Sequence, residues 1–92
     1  MTSTAKPEQT WFVYILRCGD DTLYTGITTD LDRRVREHNS LTSGSKYTRA
    51  RQPVKLVYRE KAPSRSEAAA REFQIKRLKR TEKKQLIAEN PA

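Results

Sequence analysis

Four side chains in the first half of the chain are of kinds that act together on phosphate groups: two phenols, a guanidinium and an imidazole. Tyr14 lies in an apolar run, and Tyr24 lies in a second strand-like run, two residues before Gly26. Arg34 and His38 are four residues apart, so they share one face if this segment is helical. We therefore expect the four to converge at the end of one hairpin, where they could bind a phosphate and move a proton.

Each of these residues also has an ordinary structural explanation. Strand tyrosines commonly pack in a core, and a histidine near a helix C-terminus can cap its carbonyl groups. An arginine flanked by Arg33 and Arg36 is commonly solvated. Gly26 either permits close approach of the backbone to a substrate or a helix, or simply ends a strand. The residue types alone leave both a phosphate site and a packed core open.

Local patterns predict a β-hairpin and a helix that position these residues. Residues 11–18 and 22–27 are rich in aromatic and β-branched residues, and a Gly-Asp-Asp turn signal separates them. Thr29 or Asp30 can cap a helix that runs to about Asn39. Residues 40–53 have no apolar periodicity and are predicted to form a basic loop.

A third strand is predicted at residues 54–60, with Val54, Leu56 and Tyr58 on one face. The order ββαβαα then predicts an α/β domain, more narrowly α+β, in which helices flank a three-stranded antiparallel sheet. Residues 1–10 are expected to be a flexible polar tail. Residues 11–90 are expected to form a single domain, because a chain of 92 residues can bury one modest core.

Two further helices are predicted near the C-terminus. Ser64 and Glu67 have the spacing of a reciprocal capping pair that starts the first of them. Thr81 is predicted to cap the second, which ends near residue 90 with Leu86 and Ile87 facing inward. The apolar stripe of the longer helix is predicted to contain Ala68, Ala69, Phe73, Ile75 and Leu78.

Composition narrows the cellular setting. Cys18 is the only cysteine, so it cannot close an internal disulfide, and we expect it to be a small buried hydrophobe in a reducing cytoplasm. No stretch approaches the roughly 18 apolar residues that span a bilayer, and the first ten residues lack the apolar segment of a signal peptide. These features predict a cytoplasmic protein.

The positive charge, +8 in total, is concentrated in the last two thirds of the chain. Residues 1–30 hold two bases and four acids, residues 31–60 eight bases and three acids, and residues 61–92 nine bases and four acids. Such a surface attracts polyanions, of which nucleic acid is the commonest. The basic helices lack the broad aromatic or leucine-rich face of a membrane-surface helix. Candidate phosphate contacts are Lys46, Arg49, Arg51, Lys76, Arg77, Lys79 and Arg80, together with the backbone at Gly26.

Several motifs together resemble a known family. Phe12-Val13-Tyr14 and Tyr24-Thr25-Gly26, followed at family spacing by Arg34 and His38, resemble the two half-motifs and first helix of the GIY-YIG nucleases. Residues 67–72 with Ile75-Lys76 resemble the helix that carries that family's metal-binding glutamate, here Glu72. The likeness covers residues 12 to about 88 and is strongest to small stand-alone bacterial members of the UPF0213 type. Phe12 stands where the name-giving glycine usually lies.

The resemblance implies a role for each candidate catalytic residue. Glu72 would hold Mg²⁺ or Mn²⁺, with water and phosphate oxygens completing the coordination. Arg34 would stabilise the charge that accumulates on the phosphate. Tyr14 would be the general base on the attacking water and Tyr24 would orient water or phosphate, although these two roles can be exchanged. His38 would hydrogen-bond a tyrosine or the phosphate, or help transfer the proton.

Two functions follow from these implications. The first is a metal-dependent endonuclease that hydrolyses phosphodiester bonds in nucleic acid, DNA rather than RNA, in repair or recombination. The second is a binding module that keeps the nuclease fold and holds DNA or RNA without cutting it. Neither needs a small-molecule cofactor or a membrane, and the sequence leaves the oligomeric state open.

Overall fold

The computed structural model describes residues 10–90, which form a three-stranded sheet and four helices. The predicted α+β class and the order ββαβαα are confirmed, with one additional helical turn before the third strand. The predicted flexible tail lies almost wholly outside the described residues. The elements are β1 Trp11–Arg17, β2 Leu23–Thr28, α1 Leu31–His38, α2 Lys46–Arg49, β3 Lys55–Ala62, α3 Arg65–Lys76 and α4 Arg80–Glu89.

The sheet has the order β2-β1-β3, and both pairings are antiparallel. Strand β1 lies at the centre of the sheet and is covered on both faces. The four consecutive residues from Val13 to Leu16 are therefore all buried. On one rung of the sheet, Tyr14 lies between Gly26 of β2 and Arg59 of β3. Antiparallel partners point to the same face, so this rung places the candidate tyrosine, the motif glycine and a cation together.

The two faces of the sheet carry separate apolar clusters. Helices α3 and α4 cover one face, where the buried residues are Val13, Ile15, Tyr58, Ala62, Ala68 and Ile75. Helix α1 covers the other, where the buried residues are Tyr14, Leu16, Cys18, Leu31 and Val54. Cys18 is buried as a free thiol, as expected. Leu86 and Ile87 pack against the α3 face, which confirms their inward prediction.

A β-bulge overturns the predicted face of Tyr58. The register between β1 and β3 shifts between Ile15 and Leu16, so that Ile15 pairs with Tyr58 but Leu16 pairs with Leu56. The extra residue, Val57, reverses the alternation at this point. Leu56 therefore packs on the α1 face, whereas Tyr58 belongs to the cluster under α3.

Helix α2 lies within the stretch predicted to be a loop. The side chain of Ser45 accepts a hydrogen bond from the backbone N–H of Thr48 at 3.1 Å and caps a helix of four residues. A single turn is too short to show apolar periodicity, which is why the pattern indicated a loop. Before it, Asp30 caps α1 by accepting from Arg33 N at 3.1 Å, as predicted.

The C-terminal helices depart from their predictions in two places. Ser64 caps α3 as predicted, but Phe73 is 61% exposed and Ala69 is also exposed. The prediction was wrong because five residues turn a helix by roughly 140°, which carries Phe73 away from the buried Ala68. Helix α4 begins at Arg80, so Thr81 lies inside the helix rather than at its cap.

The cap of α4 is formed by backbone and carboxylate instead. Lys79 occupies the N-cap position, and its backbone N–H donates to the Glu82 carboxylate at 2.7 Å. Within residues 10–90, no helix is long and apolar enough to cross a membrane.

Candidate active site

The phenol of Tyr14 occupies the space that a side chain on Gly26 would fill. A Cβ built on Gly26 would lie 2.5 Å from the Tyr14 hydroxyl oxygen and 2.7 Å from Cζ. The motif glycine therefore lets the Tyr14 ring lie directly over the neighbouring strand. A role for Gly26 in contacting nucleic acid, which was predicted from the sequence, stays a prediction.

A buried chain of hydrogen bonds runs from Tyr14 through His38 to Thr48. The Tyr14 hydroxyl lies 2.9 Å from His38 Nε2, and His38 Nδ1 lies 2.7 Å from Thr48 Oγ1. The exposed fractions of the three residues are 1%, 0% and 0%. Thr48 Oγ1 in turn donates to the Ser45 carbonyl at 3.2 Å. The chain links the central strand, the end of α1 and the single turn of α2.

The partners fix the direction of these hydrogen bonds. A neutral phenol must donate its hydrogen to an acceptor, and the neighbouring Arg34 offers only donors. His38 Nε2 therefore accepts from Tyr14, and the ring hydrogen lies on Nδ1, where it points to Thr48. Because Thr48 passes its own hydrogen to the Ser45 carbonyl, all three bonds run in one direction.

Arg34 stands beside this chain and is partly open to solvent. Its Nη1 lies 2.8 Å from Glu37 Oε1, and its side chain is 31% exposed. Arg34 also lies close enough to Tyr14 to lower the phenol pKa, which works against burial. A half-open guanidinium next to a buried phenol leaves donors available for a phosphate oxygen.

Tyr14 and His38 are both held in their neutral forms. Burial raises the pKa of Tyr14 to about 12, with the nearby Arg34 guanidinium opposing the rise and the charges of Tyr24 and Glu72 adding to it. Burial lowers the pKa of His38 to about 4, and the positive charge of Arg34 lowers it further, against a smaller effect of Glu37. At neutral pH, Tyr14 keeps its proton and His38 can accept one.

Tyr24 lies against the same imidazole. Its ring centroid is 5.1 Å from that of His38 and 6.5 Å from that of Tyr14, with tilted planes in both pairs. On its other side lies Tyr47 of α2, at 5.8 Å, and the Arg51 guanidinium stacks 3.9 Å from the centre of the Tyr47 ring. The two motif tyrosines thus enclose His38 with aromatic surface, which keeps water from the imidazole.

Glu72 of α3 lies close enough to Tyr14 for its charge to act on the phenol. Its side chain is 23% exposed, and its charge contributes to the raised pKa of Tyr14. Lys76, one turn along the helix, places Nζ 3.4 Å from Glu72 Oε2. This ion pair supplies the positive partner that a shielded carboxylate needs, and Lys76 is exposed enough for a divalent cation to displace it.

A metal at Glu72 would have few protein ligands. Within residues 10–90, no group of three or more histidine, cysteine, aspartate or glutamate side chains could hold a metal ion together. A single carboxylate suits Mg²⁺, which keeps several waters and commonly shares its remaining positions with substrate phosphates. Glu72 therefore fits the predicted divalent ion, with Mn²⁺ as the substitute.

Several predicted phosphate contacts already bind other parts of the protein. Arg51 Nε lies 3.0 Å from the Asp20 carboxylate. Arg80 donates to the backbone and carboxylate oxygens of Asp21 at 2.7 and 3.1 Å and so ties α4 to the hairpin turn. These contacts give Arg51 and Arg80 structural roles, and their contacts with nucleic acid stay predictions.

The other predicted cations differ in their surroundings. Lys46 and Arg49 are exposed on α2, on either side of the buried Thr48. Arg77 lies 5.4 Å over the exposed ring of Phe73, and Lys79 is exposed at the start of α4. Lys46 and Arg49 are thus the predicted cations on the helix that contacts His38.

Two groups of residues in or beside the site were not predicted. Thr48 and Tyr47 were not predicted as site residues because they lie in the presumed loop, although a serine three residues before Thr48 is a capping signal. Arg59 and Lys61 share the sheet face of Tyr14, which follows from strand alternation only once the pairing register is known.

Comparison with known proteins identifies the family. Residues 10–85 match the model of the GIY-YIG catalytic domain. A UPF0213 protein of Desulfotalea psychrophila is 58% identical over 77 residues, which are 84% of this chain and 70% of that protein. A UPF0213 protein of Syntrophus aciditrophicus is 54% identical over 80 residues, 87% of this chain and 92% of that protein.

Solved structures agree with this assignment. The solution NMR structure of a UPF0213 protein from Bacillus halodurans matches with a TM-score of 0.58 at 44% identity, over 90% of this chain and 87% of that one. A solution NMR structure from E. faecalis matches with a TM-score of 0.57 at 38% identity, over 89% and 88%. From sequence and structure together, the chain belongs to the GIY-YIG family and has its nuclease-type fold.

Proposed function

We propose that this protein is a metal-dependent endonuclease that hydrolyses phosphodiester bonds in nucleic acid, DNA rather than RNA. The observation that carries the proposal is the buried hydrogen bond from Tyr14 to a neutral His38, beside Arg34 and within electrostatic reach of Glu72. A neutral imidazole that accepts a hydrogen bond from a phenol can also accept its proton, which is what a proton relay requires. The buried free thiol of Cys18 supports a cytoplasmic location.

Tyr14 acts as a relay rather than as a phenolate. With a pKa raised to about 12, almost none of the phenol is ionised at neutral pH. The phenol oxygen instead takes a proton from the attacking water while its own proton passes to His38 Nε2. The resulting hydroxide attacks phosphorus, the bond to the leaving oxygen breaks, and that oxygen takes a proton from solvent. His38 then returns its extra proton to Tyr14, which releases one to solvent, so the site is restored.

Substrate binding prepares His38 for this proton. Arg34 lowers the pKa of His38 in the free protein because its positive charge disfavours imidazolium. A phosphate bound to Arg34 offsets that charge and adds a negative one, so the pKa of His38 rises when substrate arrives. His38 is therefore a stronger base in the substrate complex than in the free protein. In the free protein, with its pKa of about 4, it stays unprotonated at neutral pH.

Arg34 and Glu72 divide the remaining work. Arg34 binds the non-bridging phosphate oxygens and stabilises the charge that builds on them in the transition state. Glu72 would hold the divalent ion, which supplies Lewis-acid polarisation of the phosphate when bound. Tyr24 orients the imidazole through its ring contact with His38.

A binding module that does not cut is the second candidate. Two features of the free site favour this function. His38, with a pKa of about 4, is a weak base, and Lys76 forms an ion pair with the Glu72 carboxylate that would bind the metal. In that case the basic surface holds nucleic acid by charge alone. Such binding weakens steadily with salt and does not depend on a metal.

A cleavage assay with paired glutamate variants separates the two functions. Glu72→Gln removes the candidate metal ligand, and Glu67→Gln changes an exposed glutamate on the same helix as a control. Each protein is incubated with labelled single-stranded, duplex and branched DNA, and with RNA, in Mg²⁺, Mn²⁺ or EDTA. We expect Mg²⁺-dependent cleavage of DNA that Glu72→Gln loses and Glu67→Gln keeps. Binding without cleavage of every substrate would favour the binding module.

A further inference from the structure

A cleft of about 350 Å³ opens beside the candidate active site and is lined by Phe12, Arg59, Glu60 and Lys61. Its walls come from the central strand and from the edge strand β3. Phe12 is only half-buried and packs at the margin of the α1-face cluster, unlike the fully buried Tyr14 and Leu16. Arg59 and Lys61 are exposed.

The cleft lies on the same sheet face as Tyr14. Phe12 pairs with Lys61, and Tyr14 pairs with Arg59, in the antiparallel register. Antiparallel partners and residues two apart on a strand point to the same side. Two residues of strand span roughly 7 Å, which is close to the length of one extended nucleotide. The cleft is therefore about one nucleotide away from the Tyr14 rung.

The cleft carries a net positive charge, because its acidic residue is paired with an arginine outside the cleft lining. Glu60, the acidic residue of the lining, has both carboxylate oxygens 3.0 Å from Arg71 Nε and also accepts a hydrogen bond from Tyr58. Its charge is compensated on the α3 side of the sheet. Among residues 10–90, neither Arg59 nor Lys61 pairs with a carboxylate.

We propose that Phe12, Arg59 and Lys61 bind the nucleotide next to the scissile phosphodiester in an unpaired strand. The base stacks on the exposed part of the Phe12 ring, and Arg59 and Lys61 contact the flanking phosphates. An aromatic ring between cations is the combination that holds single-stranded nucleic acid without regard to its sequence. This inference rests on the proposed function, because that function places the scissile phosphate at Tyr14.

The subsite selects substrates by the accessibility of a base. In a duplex each base is paired and stacked on its neighbours, so placing one on Phe12 requires unstacking. Single strands and the splayed arms of branched DNA present a base face at no such cost. The substrate class is therefore DNA with unpaired nucleotides at the cleavage position.

Binding experiments test the stacking contact directly. The affinity of the protein for a fluorescent single-stranded oligonucleotide is measured in EDTA, where cleavage does not interfere, and compared with an abasic strand of the same length. Phe12→Leu removes the ring but keeps an apolar side chain, and Phe12→Tyr keeps the ring. Trp11→Leu is the matched control, because the adjacent Trp11 packs on the opposite face. Thermal melts verify that each variant is folded, with Phe12→Met replacing Phe12→Leu if needed.

We expect Phe12→Leu to bind the normal strand about tenfold more weakly than the parent and the abasic strand equally well. Phe12→Tyr and Trp11→Leu should match the parent on both strands. If the parent and Phe12→Leu lose the same affinity when the bases are removed, the ring does not stack on a base and the inference fails.

The cations are tested by salt dependence. The double variant Arg59→Gln, Lys61→Gln should bind both strands more weakly. The plot of log affinity against log salt concentration should also become less steep, by about 1.4 in slope. Each of the two phosphates that the variant no longer neutralises accounts for about 0.7. An unchanged slope would show that Arg59 and Lys61 do not contact phosphates. A protein that binds in this way yet never cuts would refute the nuclease alone, and one that cuts but ignores Phe12 would refute the subsite alone.

Discussion

Two tyrosines are buried on opposite faces of the sheet, and the comparison between them shows what makes one a candidate for catalysis. Tyr14 and Tyr58 are 1% and 3% exposed, and burial raises the pKa of both. Tyr58 donates its hydrogen to Glu60, a carboxylate that Arg71 already neutralises. The Tyr58 hydroxyl and the Glu60 carboxylate are therefore paired within one network, so Tyr58 is a structural residue with a satisfied hydroxyl.

Tyr14 differs in the chemistry of its partner. Its hydrogen goes to a neutral imidazole, which can accept a proton and pass it on, and its oxygen also faces the half-open Arg34. Residue type and burial are the same in both networks. The protonation state of the partner and access to a phosphate therefore separate the catalytic candidate from the structural one.

The largest expected difference between the two networks is in the cleavage rate after the hydroxyl of Tyr14 or of Tyr58 is removed. Tyr14→Phe keeps the ring over Gly26 but removes the relay, and we expect cleavage to fall by about 10²- to 10⁴-fold. Tyr58→Phe should leave cleavage within about twofold and reduce stability by about 1 kcal/mol, because one hydrogen bond is removed. Single-turnover cleavage and urea unfolding measure the two effects. Equal loss of cleavage in both variants would show that the comparison is wrong.

The neutral state of His38 should appear in the pH dependence of stability. Its pKa falls from 6.5 to about 4 on folding, so between these values the unfolded chain binds more protons than the folded one. The contribution is therefore fully present above pH 6.5 and is lost as the pH falls towards 4. At about 1.4 kcal/mol per pKa unit, the loss is about 3 kcal/mol.

Urea unfolding of the parent and of His38→Gln over pH 4–7 measures this contribution by difference. The variant should lack the His38 part of the decline, because glutamine does not titrate. Parallel curves for the two proteins would mean that His38 is not held neutral by the fold.

Thr48 should have the smallest effect of the three, since it acts through His38. Thr48→Val keeps the shape but removes the acceptor for the Nδ1 hydrogen, and we expect cleavage to fall about tenfold as the imidazole loses its fixed tautomer and orientation. Thr48→Ser should restore most of the rate. A valine variant that cuts like the parent, or a serine variant as slow as valine, would contradict the positioning role.

The sequence predicted most of the fold because its signals are local. Alternating apolar residues, the Gly-Asp-Asp turn and the Ser64 cap mark the hairpin and α3 without knowledge of distant contacts. The face of Tyr58 was missed because a β-bulge depends on how β3 pairs with β1. The exposure of Phe73 was missed because an apolar residue at helical spacing does not reveal which side of the helix is covered.

The site divides along the same line. The motif residues Tyr14, Gly26, Arg34 and His38 could be named from their spacing. The hydrogen-bond partner that orients His38 could not be named in this way. That partner, Thr48, lies ten residues from His38 in a segment without apolar periodicity. The values that decide the mechanism, a phenol pKa of about 12 and an imidazole pKa of about 4, arise from burial and appear only in the folded chain.

The dependence of kcat/KM on pH tests the relay most directly, with a single-stranded DNA substrate and constant Mg²⁺. If neutral Tyr14 passes its proton to His38, the rate falls only on the acid side, as His38 becomes protonated towards pH 4, and is level between about pH 7 and 10. If ionised Tyr14 is the base, the rate instead rises about tenfold per pH unit across that range towards the phenol pKa of about 12. A level profile is the result we predict, and a continuous rise would contradict the account.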